Sequence, residues 1–86
     1  MKVNIEMLEF GGNVSVAKVE GRAFPGILIQ GDTLYTIYSA LNAIYTGKCE
    51  SDEDAKDELK DVVENLRTIL SNYEKALKKH GFGKPY

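Results

Sequence analysis

Arg22 and Phe24 stand in a loop punctuated by Gly21, Pro25 and Gly26. A guanidinium held there beside an aromatic ring can grip a carboxylate or phosphate through paired hydrogen bonds. Further along, Gln30-Gly31-Asp32 opens a helical pattern, and the unpaired backbone N–H groups at a helix start attract anions. Asp32 works against that use, because as an N-cap it satisfies some of those donors and brings its own negative charge. The same residues have a purely structural reading. Pro25 and Gly26 serve as punctuation at a strand entry, and Phe24 as core or hairpin cover.

The rest of the chain offers little that could catalyse. His80 is the one histidine and follows Lys78-Lys79, where its expected role is to complement the C-terminal end of a helix dipole. Cys49 has Lys48 beside it but no histidine expected nearby, which predicts an inert thiol in an interhelical loop. A single cysteine also excludes an intramolecular disulfide and any cysteine-cluster zinc site. The acids following Ser51 open a helix and lack the alternating ligand pattern of a calcium loop. Gly11-Gly12 suits a hairpin turn, and no phosphate-cradling glycine fingerprint is present. No catalytic set, no metal and no cofactor is therefore expected.

The elements that must position these residues are legible in the pattern. Val3, Ile5 and Met7 alternate with polar neighbours, predicting a strand over about residues 2–9. Phe10 to Asn13 is a turn, and a second strand covers about 14–20. Its apolar phase switches between Val16 and Ala17, which predicts a bulge near Ala17 or Lys18. Ile27-Leu28-Ile29, within a strand of about 26–30, is apolar on both parities and predicts a strand covered on both sides or at the sheet centre.

Two helices follow. Asp32 is the expected N-cap of the first, about 32–46, whose stripe is Leu34, Ile37, Tyr38, Leu41, Ile44 and Tyr45 and which Gly47 closes. Ser51 is the expected cap of the second, about 51–80, with Asp54 at the capping-box position. Its stripe runs through Leu59, Val62, Val63, Leu66, Ile69, Leu70, Tyr73 and Leu77, and Gly81 is the expected left-handed residue past its end. The fold class that follows is α+β. A three-stranded antiparallel meander precedes a two-helix hairpin packed on one sheet face (β-β-β-α-α), in a single domain spanning 1–86.

Charge is unevenly spread along these 86 residues, although the net charge is only −2. Residues 51–64 hold seven acids against Lys56 and Lys60, leaving −5; residues 65–86 hold five basic residues against Glu74, leaving +4. Helix dipoles favour such a split, and it also offers Asp54, Asp57 and Asp61 as a docking surface for a basic partner. Tyr38, Tyr45 and Tyr73 fall on the apolar stripes, whereas Tyr35 falls off its stripe among polar residues and suits an interface anchor. Tyr86 is expected on a mobile tail. The acidic balance and the lack of a recognition motif argue against nucleic acid. No apolar run approaches the length of a membrane span, and no secretory signal is evident at the N-terminus, so a cytoplasmic location is expected.

From Arg22 to Leu34 the sequence R-A-F-P-G-I-L-I-Q-G-D-T-L resembles a family of small bacterial proteins of unknown function. In that family R-x-F-P-G, three apolar residues and Q-G-D-[ST]-L follow two short N-terminal strands. The resemblance covers about a dozen residues and implies that the segment is a family hallmark, without supplying an activity. The functional expectation is a non-enzymatic binding module, of which an immunity-type or inhibitor protein is one form, that meets a protein partner or a second copy of itself. The alternative is an oligomeric binder of a small anionic ligand such as a phosphate or nucleotide, using Arg22, Phe24 and the Gln30-Gly31-Asp32 helix start.

Overall fold

A computed structural model describes residues 2–48 and 51–86, with strands β1 (Ile5–Glu9), β2 (Val14–Val19) and β3 (Gly26–Ile29). Helices α1 (Gly31–Ala43) and α2 (Glu53–Lys79) follow, so the fold is α+β in the expected order. Cys49, read from sequence as an inert loop thiol, lies outside the described residues. Two compact units divide the chain, Met1–Gln30 and Gly31–Tyr86.

In the first unit the strands are antiparallel in the order β1-β2-β3. Short connections keep sequence neighbours adjacent, so β2 takes the centre and β3 an edge. This corrects the expectation for Ile27-Leu28-Ile29: β3 is neither central nor covered on both sides, and Ile27 is 73% exposed. The innermost residues belong instead to β2, where Ser15 and Ala17 are buried on one face. Ser15 is satisfied there, because its hydroxyl oxygen accepts the Gly11 N–H at 3.1 Å. The bulge also differs from expectation. Pairing of β2 with β3 is uninterrupted from Val14↔Ile29 to Ala17↔Gly26. The register slips on β1, between Met7↔Ala17 and Glu9↔Val16. Leu8 is thus the additional residue, and the mixed phase of β2 reflects apolar residues on both of its faces. β1 begins at Ile5, later than expected. Before it, Asn4 is held by Glu20, whose backbone N–H donates to the Asn4 carbonyl at 2.9 Å and whose carboxylate accepts the Asn4 N–H at 3.1 Å.

The second unit is an antiparallel helical hairpin. Gly31 is buried at the start of α1 because the Tyr73 ring of α2 lies over it: a Cβ there would sit 2.1 Å from Tyr73 Cζ. Gly31 opens the helix, so Asp32 lies inside the first turn and is not the N-cap; its Oδ1 accepts the Thr33 N–H at 2.9 Å. The helix does not close at Gly47. It widens into a π-type turn over Ile44–Lys48. Within that turn the Thr46 hydroxyl donates to the Asn42 carbonyl at 2.8 Å, a side-chain contact that competes with the regular ladder.

Asp52, and not Ser51, caps α2. Its Oδ1 accepts the Ala55 N–H at 3.1 Å while its carbonyl takes the Lys56 N–H at 2.9 Å. A carboxylate serves better than a hydroxyl at this position because it also carries the charge that the helix N-terminus favours. Asp54 consequently falls one residue short of the capping-box position. At the other end His80 is the C-cap and Gly81 adopts φ 81°. The Phe82 N–H reaches the Leu77 carbonyl at 2.8 Å and the Gly81 N–H the Lys78 carbonyl at 3.4 Å, which together close the helix in a Schellman arrangement.

Along α2, Val63 and Leu70 are buried, and Leu59, Leu66, Tyr73 and Leu77 are half-buried. These steps of four and three residues make a narrow seam against one neighbouring helix. Val62 and Ile69, expected in the same stripe, flank that seam and are exposed.

Candidate functional site

The loop between β2 and β3 is shaped by backbone bonds at its base. The Arg22 N–H donates to the Val19 carbonyl at 3.1 Å. Lys18 Nζ donates to the Arg22 carbonyl, and to that of Val19 at 3.4 Å. The loop rims an open concavity of about 580 Å³ that Arg22, Phe24 and Pro25 line. Phe24 is 83% exposed, so it covers no core. Among the described residues no carboxylate lies within 4 Å of the Arg22 guanidinium. A guanidinium beside an exposed ring can receive a carboxylate or phosphate. Lys18, which sequence reasoning missed, reaches the base of this loop through the Val19 and Arg22 carbonyls.

Gln30 does not join Arg22. Its N–H donates to the Asn13 carbonyl at 2.8 Å, at the end of the sheet that holds the β1–β2 turn. Arg22 follows β2 at the other end. The length of β3 separates them, about 13 Å at ~3.3 Å per residue. Asp32, next in the expected constellation, belongs to the helical unit and is exposed there.

A denser arrangement of side chains lies on one face of the hairpin. Tyr35, exposed as its off-stripe position implied, stacks on Tyr86 with centroids 3.9 Å apart and planes inclined by 6°. Tyr38 lies beside it, 6.3 Å between centroids, and accepts the Arg67 Nε–H at 3.1 Å on its hydroxyl. The guanidinium carbon is 5.9 Å from the Tyr38 ring centroid, adding a cation–π contact. Donation to Tyr38 raises the Arg67 pKa above its ordinary value. The Tyr86 hydroxyl donates to Glu74 Oε2 at 2.6 Å, and Lys84 Nζ stands 3.9 Å from the same oxygen. Burial first, and then that hydrogen bond, push the Tyr86 phenol up to about 12. A hollow of about 190 Å³ opens between Tyr35, Tyr38, Arg67, Ser71 and Glu74.

The C-terminal segment is therefore docked through Tyr86, which corrects the expectation of a mobile tail. The reason is tertiary: a ring stack, a charge-assisted hydrogen bond and an ion pair converge on Tyr86 and Glu74. Arg67 and Glu74 were also missed, though their seven-residue spacing puts them within about 20° of each other around the helix. Tyr45 and Lys56 repeat the same pattern one level along the hairpin, with Nζ 5.8 Å from the ring centroid.

Asp54, Asp57 and Asp61 are exposed along the N-terminal half of α2, and among the described residues none has a cation within 4 Å. His80 is exposed at the C-cap. Among the described residues no three His, Cys, Asp or Glu side chains are grouped to hold a metal ion. No described helix is long and apolar enough to cross a membrane.

The fold and these surfaces define a small α+β protein that pairs a β-meander with a helical hairpin carrying an aromatic–arginine face. The chain belongs to DUF6959, a family of unknown function whose model matches residues 1–86. Neither a curated protein nor a solved structure matches it.

Proposed function

We propose that this protein is a non-enzymatic binding module that works in the cytoplasm by covering a protein partner, as immunity and inhibitor proteins do. The observation that carries this reading is the Tyr35–Tyr86 stack beside Tyr38 and Arg67. Tyrosine and arginine are the residues that most often anchor interfaces, and here their side chains are held in place before any partner arrives. Asp54, Asp57 and Asp61 add an acidic field on the same helix that steers a basic partner toward the hairpin. The test is capture from host extract with two altered baits. Tyr35→Ala should lose the partner through faster release. Charge reversal of the three aspartates should slow its capture and remove the salt dependence. A partner retained equally by all three baits would sink this reading.

A second reading is favoured by the open concavity at Arg22 and Phe24. It makes the β2–β3 loop a site for a small anion, with Arg22 as the cation and Phe24 beside it, and without Gln30. Titration with phosphate or a nucleotide should raise the melting temperature of the wild-type chain and leave Arg22→Ala unmoved. Equal shifts in both would remove it.

A further inference from the structure

The face of the hairpin turned away from Tyr35 and Arg67 is apolar. Ile37 and Ile44 are 43% and 39% exposed, and Val62 and Ile69 are 45% and 50% exposed. Each pair is one heptad apart. Ile37 on α1 stands roughly 160° around the helix from Tyr35, and Ile44, the first residue of the π-type turn, follows one heptad later. On α2, Val62 and Ile69 stand about 120–160° from Arg67 and Glu74. Tyr35, Tyr38, Arg67 and Glu74 line one hollow, so the four β-branched residues share the opposite face. Such side chains lose little rotamer freedom on burial, which suits them to a helix–helix seam.

The placement of this patch selects an occupant. Val62 and Ile69 straddle Leu66, the middle residue of α2. A second α2 laid antiparallel on the first, with the two-fold axis beside Leu66, sets Val62 against the partner's Ile69 over the whole helix length. The same operation brings the acidic start of α2 (the cap Asp52, then Glu53 and Asp54) to the partner's Lys78 and Lys79. Residues 51–64 carry −5 and residues 65–86 carry +4, so the antiparallel pairing joins unlike charges at both ends. A parallel pairing would join like charges at both ends.

We propose that a second copy of this chain covers the Ile37, Ile44, Val62 and Ile69 face, forming an isologous four-helix dimer with antiparallel α2 helices. The dimer leaves both aromatic–arginine faces turned outward.

Sedimentation of the full chain over a concentration series tests this. Wild type should show a reversible species of twice the chain mass. Val62→Glu and Ile69→Lys, each at an exposed position and checked for unchanged far-UV circular dichroism, should each weaken association about tenfold or more. The double variant V62E/I69K should recover much of it, because the new glutamate meets the partner's new lysine across the axis. Within one chain these two positions are two helical turns apart and cannot compensate each other. A monomer at every concentration overturns the proposal. A dimer indifferent to both single substitutions also overturns it, as does a double variant no better than the singles.

Discussion

The ring of Tyr86 lies flat on that of Tyr35, 3.9 Å between centroids, while its hydroxyl reaches across to Glu74 at 2.6 Å. One residue near the C-terminus thereby ties α1 to α2 on the face that also holds Tyr38 and Arg67. The stack is nearly parallel, at 6°, and Lys84 closes the arrangement with its ammonium 5.3 Å from the Tyr86 ring centroid. The tail is part of the surface and not an appendage to it.

Removing the ring should measure that tie. Tyr86→Ala is expected to lower stability by about 1–2 kcal/mol, since an aromatic pair contributes roughly 0.5–1.5 beyond the area it buries. Tyr86→Phe keeps the stack and loses only the bond to Glu74, so its effect should be the smaller. Urea denaturation of the three proteins checks the order. Equal stability of all three would show that the tail contributes nothing.

The phenol of Tyr86 gives the same contact a pH signature. Its pKa rises from 10.0 to about 12, through burial and through donation to Glu74. A raised folded-state value means that the docked arrangement holds its proton more tightly than the unfolded chain does. Its stabilisation is therefore complete below pH 10 and is lost as the pH climbs through 12. Tyrosinate absorbance should show one late-titrating phenol, moved down partway by Glu74→Gln. A titration in which no phenol is late would contradict this.

Gly31 sets two effects against each other. Alanine in place of a helical glycine gains up to about 1 kcal/mol of helix propensity. A Cβ 2.1 Å from Tyr73 Cζ must instead displace the ring, and overpacking of that kind costs about 1–3 kcal/mol. Gly31→Ala should thus destabilise the wild-type chain. In a Tyr73→Ala background the obstruction is gone, and the same change should become neutral or stabilising. A double-mutant cycle by thermal denaturation reads the sign reversal directly.

The cap of α2 separates neighbours that composition alone ranks alike. Asp52→Ala removes the acceptor of the Ala55 N–H and should cost about 0.5–2 kcal/mol. Ser51→Ala should stay within about 0.5 kcal/mol. Helix content near the N-terminus of α2, followed by amide exchange, should fall only in the first variant.

Much of this architecture is legible in the residue pattern because its signals are local. Alternation in Val3, Ile5 and Met7, the Gly11-Gly12 turn, and the stripe from Leu59 to Leu77 each depend on neighbours within a turn or a pleat. The C-terminal stop at Gly81 is similar, since only the αL geometry past a helix end is involved. The failures share a different cause. Whether Ser51 or Asp52 caps α2, and whether Leu8 or Ala17 sits at the bulge, depends on register, which one residue can shift without altering the pattern. The edge position of β3 likewise depends on strand order, and not on the composition of Ile27-Leu28-Ile29.

For the surfaces the division is sharper. The sequence alone establishes an α+β chain, the off-stripe position of Tyr35, the lone Arg22 of the N-terminal half and the opposed charges of α2, because each is a matter of residue type and period. Tertiary structure decides which of these meet. It sets Arg22 and Gln30 at opposite ends of the sheet, brings Tyr86 back onto Tyr35, pairs Arg67 with Tyr38 across 29 positions of chain, and turns Val62 and Ile69 outward. Those outcomes rest on contacts between residues distant in sequence, whose geometry is set only when the two helices pack.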